Sequence, residues 1–204
     1  MSEAISTAEI SQQLAAYLGH FPAEAAAQQQ LQRQADAGDA ALTSRKNFAG
    51  HVTSSVLVLS HDLTKVLMVW NNGAQKLLQP GGHYDGGSLW FSATREVVEE
   101  TGLQGLQLHP WHTKHPHPFD WDTHPIGARP AKNEPDHWHH DALYLGLADP
   151  TVPLNAQVAE VSEVRWVPIA ELTSLPRFQK VLRKLQDEKV LPAATPPARR
   201  PAPL

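Results

Sequence analysis

No cysteine occurs among the 204 residues, so disulfides and thiolate chemistry are excluded and the redox compartment cannot be read from cysteine usage. Basic charge is not in excess either: 17 Lys and Arg stand against 21 Asp and Glu, a formal charge of −4. That removes the global positive field that would draw a nucleic acid polymer, and an anionic substrate would have to be neutralised locally. No apolar run approaches the length of a membrane span. The opening residues Met1, Ser2, Glu3, Ala4 and Ile5 carry neither the basic nor the apolar stretch of a secretion signal. A cytoplasmic protein with no membrane partner is therefore expected. Apolar residues at 41% and charged residues at 19% describe a globular chain, long enough for one domain with short extensions.

What is present falls into three zones. Residues 1–44 are rich in Ala, Gln and Glu; Leu14, Leu18 and Leu31 sit among good helix formers, and Gly19 and Pro22 divide two segments. A helical extension is expected, packed on the main domain or on a second copy in a homodimer. Residues 45–190 form the main domain. Strands are expected at 51–60 and 65–70, then at 105–114, 141–148 and 163–167, with helices at 88–101, 169–172 and 178–189. Val181, Leu182 and Leu185 mark the buried face of the last helix. Residues 191–204 are Pro/Ala-rich and read as a disordered tail. This alternation gives an α/β fold, a mixed sheet covered on both faces.

The chemistry concentrates in one segment. Glu96, Glu99 and Glu100 are three and four residues apart, so one arc of a helix carries all three carboxylates. Trp90, Ala93, Thr94, Val97, Val98 and Thr101 form a neighbouring arc suited to a core. Like charges at that spacing repel, and a hard divalent cation such as Mg²⁺ reverses the sign. Ahead of the helix, Gly81, Gly82, Gly86 and Gly87 allow positive φ and close approach of backbone to a ligand. Arg95 sits four residues before Glu99, where it can orient carboxylates.

The run Arg95-Glu96-Val97-Val98-Glu99-Glu100-Thr101-Gly102-Leu103 resembles the second half of the Nudix box. In the first half, counting back from Arg95 puts Gly81 at the leading Gly and Gly87 where the box has its first Glu; Asp85 is the nearest acid. The resemblance extends over residues 51–172, through Leu78-Gln79-Pro80-Gly81-Gly82-His83 and the segment 163–172. Arg45 to Phe48 and Asn133 to His137 also look like a bacterial subgroup of unassigned substrate. It implies a Nudix-type α/β/α sandwich and a hydrolase that cleaves a pyrophosphate linkage in a nucleoside diphosphate derivative. It further implies Mg²⁺, or Mn²⁺, held by Glu96, Glu99 and Glu100, and a small-molecule phosphoanhydride substrate near Gly81, Gly82, His83, His139 and Asp141. Glu99, Glu100 and Arg95 would carry catalysis, with a proton acceptor outside the box among Glu160, Glu163 and Asp141.

Twelve histidines are present, and many cluster. His109, His112, His115 and His117 lie in one proline-rich stretch. On a strand, alternation puts His137, His139 and Asp141 on one face and Trp138 and His140 on the other. Two imidazoles and a carboxylate could ligate a transition metal, contact phosphate, or bond within the sheet. Trp111, Phe119, Trp121 and Trp138 could stack on a base or pack a loop onto the core. Two alternatives to the hydrolase stay open: a ligand-binding module weakened by the missing box Glu, and a transition-metal protein built on the histidines.

Overall fold

The computed structural model describes residues 4–130, 133–156 and 161–192. They divide into two compact units, Met1–Pro168 and Ile169–Leu204. The first is organised around β1 (His51–Ser60), which is buried along its whole length. β1 pairs in parallel with β7 (His137–Ala148), from His51 opposite His139 to Ser60 opposite Ala148. Its other edge is shared. Thr53, Ser54 and Ser55 pair with β4 (Gly81–His83), and Leu59 pairs with Val66 of β2 (Lys65–Asn71). β2 also pairs with β3 (Lys76–Leu78) and, along its full length, with β8 (Val161–Pro168). β5 (Gln107–Leu108) and β6 (Asp120–Ile126) complete a mixed, eight-stranded sheet by pairing with β7.

One face of this sheet carries the helices. α3 (Leu89–Thr101) sets Ala93 and Val97 against Val56, Val58 and Leu67. On the same face α1 (Thr7–His20) and α2 (Gln29–Asp36) bury Ile10, Leu14, Tyr17, Leu31 and Ala35 against Val52, Trp121, Ala142 and Tyr144, with Leu89 of α3 in the same cluster. Ser6 starts α1 with a capping box to Glu9. Buried glutamines stitch these helices to the sheet. Gln28 donates to the Trp121 carbonyl at 2.7 Å and accepts from Thr123 at 2.8 Å. Gln34 donates to the Gly50 carbonyl at 2.9 Å and meets His140 Nε2 at 2.9 Å. Such groups are stable in a core only when partnered, as these are. Tyr17 donates to Asp120 at 2.9 Å.

In the second unit, α4 (Ile169–Leu172) and α5 (Gln179–Asp187) follow one another, and Val181, Leu182 and Leu185 are the buried face expected of α5. No helix among the described residues is long and apolar enough to cross a membrane. The proposed tail falls mainly on residues 193–204, outside the described residues.

Three expectations are corrected. The strand expected at 105–114 shrinks to β5, because Pro110 opens a 3₁₀ turn whose first amide, at Trp111, is capped by His109 Nδ1 at 3.1 Å. β6 went unrecognised because it contains Pro125; it pairs with β7 alone, and an edge strand tolerates a missing N–H. Val98 is 41% exposed and not core, whereas Leu89, Ser92 and Glu100 are buried.

Because Leu14 is fully buried in the shared cluster, Leu14→Ala is expected to destabilise the whole domain by about 3 kcal/mol. Urea unfolding followed by Trp fluorescence checks this; an unchanged midpoint would mean that the amino-terminal helices are not part of the cooperative unit.

Candidate active site

α3 begins and ends where its sequence dictates. Ser88 accepts the Phe91 amide at 3.1 Å as N-cap, and Gly102, at φ 68°, closes the helix through its N–H to the Val98 carbonyl at 2.8 Å. Leu89, Ser92, Ala93, Val97, Glu100 and Thr101 are the buried positions. Glu100 therefore belongs to the sheet-facing stripe, and only 6% of it is exposed.

The reason lies in β4. The Gly81 amide donates to Glu100 Oε2 at 3.1 Å, a charge-assisted bond that compensates for burial of the carboxylate. At Gly82 an added Cβ would lie 2.6 Å from the Glu96 carboxyl carbon; the missing side chain is what lets that carboxylate lie against the strand. At Gly81 a Cβ would instead strike Ser55 and the Ser54 backbone at 2.4 and 2.7 Å. Consecutive glycines thus serve different ends, one for packing and one for the site.

Arg95 gathers the acids. Nη1 bonds both Glu99 oxygens, at 2.8 and 2.7 Å, while Nη2 reaches Glu96 at 2.9 Å and lies 3.7 Å from Asp85. Burial opposes the guanidinium charge, but the hydrogen bonds to Glu99 and the charges of Glu96, Glu99 and Asp85 hold its pKa above the ordinary value. Glu96, Glu99 and Glu100 thus leave one side of α3 next to β4, with a glycine-lined strand over them.

The NUDIX domain family profile matches residues 50–188. The chain belongs to the Nudix family. Among solved structures it is similar to an Ap4A hydrolase from C. elegans, at 15% identity and a TM-score of 0.51 over 68% of this chain and 97% of that one. It is also similar to the dihydroneopterin triphosphate pyrophosphohydrolase of E. coli, at 13% identity and a TM-score of 0.50 over 69% and 96%. A third similarity is to the NUDIX domain of Shewanella oneidensis NrtR complexed with ADP ribose, at 22% identity and a TM-score of 0.46 over 69% and 88%. No curated protein sequence matches the chain. The Nudix fold is thus the α/β mixed sheet anticipated from the sequence, and the protein is an enzyme of the Nudix pyrophosphohydrolase type.

Within the Nudix box, the position of the absent first Glu has a conformational explanation. Gly86 and Gly87 adopt φ of 101° and 71°, values that L-residues avoid, so the loop closes onto Ser88 by a turn that a Glu at 87 would strain. Asp85 supplies an acid to Arg95 from two residues earlier. Tyr84 holds this loop: its hydroxyl donates to the Gly87 carbonyl at 2.7 Å and accepts the Ile5 amide at 2.8 Å.

The other expected site residues separate. Val164 and Trp166 pack with the α3 cluster, so alternation turns Glu163 to the opposite face, where it is exposed and pairs with Arg165 at 3.0 Å. Glu160 lies outside the described residues. Asp141 accepts from Thr53 and Ser55 at 2.9 and 2.5 Å; burial nonetheless pushes its carboxyl above the usual range. His83 and His139 are brought together, 5.4 Å between ring centroids, and both adjoin His51, at 5.2 and 4.7 Å. His51 was missed in the sequence; its only signal was a histidine at the head of a β-rich run. Burial and the surrounding imidazoles, His51 and His83 foremost, hold His139 at about 2, and burial with Arg45 and His51 holds His83 at about 4.

His140 and His112 are fixed by hydrogen bonds within the fold. His140 is fully buried between Gln34 and Thr123. His112 accepts the Leu145 amide at Nε2, at 3.0 Å, and donates from Nδ1 to the His117 carbonyl at 3.1 Å. His20, His115 and His117 gather around the Trp111 ring. Of the four aromatics considered for base stacking, Trp111, Phe119 and Trp121 are buried and Trp138 is 38% exposed.

Two outcomes are expected. Gly82→Ala forces only the mobile end of Glu96 aside, so it should leave the melting temperature near wild type and lower turnover by roughly tenfold, about 1.4 kcal/mol; Gly81→Ala, which meets backbone, should do the reverse and lower the melting temperature first. Burial holds folded His112 at about 4, below the ordinary value of about 6.5. Between these values the unfolded chain binds a proton that the folded chain refuses, so stability is complete above about 6.5 and is lost as pH falls toward 4. Denaturation midpoints across that range should fall less steeply for His112→Asn than for wild type.

Proposed function

We propose that this Nudix enzyme hydrolyses a pyrophosphate linkage in a nucleoside diphosphate derivative or related compound, with Mg²⁺, or Mn²⁺, held by Glu96, Glu99 and Glu100. The observation that carries the reading is the gathering of three carboxylates beside β4 by Arg95 and the Gly81 amide. The donor set fits a hard cation: carboxylate oxygens, a strand whose Gly82 leaves room against Glu96, and no sulfur. When bound, the ion supplies neutralisation of phosphate charge and acidification of a coordinated water. The substrates named for the two neighbours of higher TM-score are a dinucleoside polyphosphate and a pterin triphosphate; both contain the phosphoanhydride of the proposed class.

The protein's own groups have distinct duties in this reading. Glu96 and Glu100, both shielded, anchor the ion. Glu99, whose side chain is 50% exposed and bonded through both oxygens to Arg95, would complete the ligand set. A carboxylate outside the box accepts the proton of the attacking water, among the described residues Glu163, exposed on the face away from α3, or Asp141, which holds two hydroxyls. Arg95 sets the spacing of Glu96 and Glu99 and would be free for substrate phosphate where those acids held the cation. Gly81 and Gly82 present backbone to the substrate, while His83 and His139 gather on the opposite face of the sheet.

The decisive experiment is turnover of a phosphoanhydride panel with Mg²⁺ by folded Glu96→Gln, Glu99→Gln and Glu100→Gln proteins. Each is expected to lose roughly tenfold to a thousandfold in kcat/KM, about 1.4 to 4 kcal/mol of transition-state stabilisation. Near wild-type rates in all three would remove the reading. Absence of turnover by wild type over the whole panel, with retained ligand binding, would favour the weakened binding module, the one observation for which is Gly87 at the place of the box acid.

A further inference from the structure

On the sheet face away from α3, His51, His137 and His139 bring one ring nitrogen each within 4.8 Å of the others. The placement follows from register: His51 of β1 lies directly opposite His139 of β7, and His137 precedes His139 by one alternation on the same strand. His137 and His139 meet Nε2 to Nε2 at 3.2 Å. Two tautomers are fixed by backbone carbonyls, which only accept. His51 Nδ1 donates to the Asn47 carbonyl at 3.1 Å, and His137 Nδ1 donates to the Pro135 carbonyl at 2.7 Å. With each Nδ1 committed to a carbonyl, Nε2 is the nitrogen that both rings have left for a ligand. His51 is 1% exposed and its Nε2 has no hydrogen-bond partner, a cost that a core does not normally bear.

The surroundings are constructed around these rings. Arg45 and Glu134 pair at 3.4 Å and so tie together the loops that carry Asn47 and Pro135. Phe48 packs on the His137 ring at 5.7 Å, and His51 stacks on His137 at 5.1 Å. Backbone carbonyls orienting the distal nitrogen of each imidazole are the usual outer support of a metal-ligating histidine. Zn–N bonds of about 2.0–2.1 Å imply nitrogens roughly 3.3 Å apart in a tetrahedral site; the His137–His139 pair already has that spacing, and His51 needs only a small approach. All-imidazole donors select borderline transition ions over Mg²⁺, which prefers oxygen. The partly exposed side at His139 leaves a fourth position, toward which His83 is the adjacent ring.

We propose that His51, His137 and His139 form a second metal site, distinct from the box glutamates, which takes a Zn²⁺-class ion with His83 or water as fourth ligand. Full-length protein purified without a metal-affinity column is incubated with Zn²⁺, dialysed and assayed for metal per chain, in parallel with visible spectra of the Co²⁺ form. Wild type is expected to retain one ion per chain that excess Mg²⁺ does not displace, with the intense bands of four-coordinate Co²⁺. Glu99→Gln should keep it, which separates this site from the box. Loss of an outer support typically lowers metal affinity about 10- to 100-fold, so His51→Gln and His139→Gln, which remove ligands, should lower it by roughly 100-fold or more. If His51→Gln does not fold, the more exposed His139→Gln and the Zn²⁺-dependent rise in melting temperature of wild type decide. No retained ion in wild type, or equal retention by His139→Gln, overturns the proposal. A KM change in His139→Gln with no difference in metal also overturns it, and assigns these histidines to substrate phosphate.

Discussion

The parallel pairing of β1 with β7 is the constraint on which the rest depends. Its register, His51 to His139 through Ser60 to Ala148, decides which side chains of strands far apart in sequence become neighbours. Thr53 and Ser55 find the Asp141 carboxylate because of it. The even-numbered residues of β1 are thereby turned to α3 and the amino-terminal helices. A shift of one residue would exchange the two faces and place imidazoles in the apolar core.

The sheet divides two kinds of chemistry between its sides. The box glutamates lie on the helix side, brought up by α3; His51, His83, His137 and His139 lie on the other, brought up by the strands. β4 belongs to both, since Gly82 meets Glu96 while the next residue, His83, meets His51 and His139. Hard and borderline ligand sets that share a strand without sharing a face would not compete for the same ion.

The parts legible in the sequence are those settled within a few residues. Ser88 and Gly102 bound α3 almost as expected, because capping is local, and the three- and four-residue spacing of the glutamates needed only helical geometry. The rotation of α3 was not legible: Glu100 is buried in place of Val98 because an amide 19 residues away, at Gly81, donates to its carboxylate. His51 is the clearer case. Nothing near it in sequence announces His139, 88 residues later, and parallel pairing gives no turn by which to read a register. β6 was hidden by Pro125, whose penalty disappears at an edge.

Tyr84 joins the segment before α1 to the loop that precedes α3. The same hydroxyl accepts the Ile5 amide and donates to the Gly87 carbonyl, so the segment before α1 and the turn ahead of α3 are two ends of a single clasp. Anything that displaces the Ile5 amide therefore bears on the loop that precedes the glutamates, without touching any residue of the box.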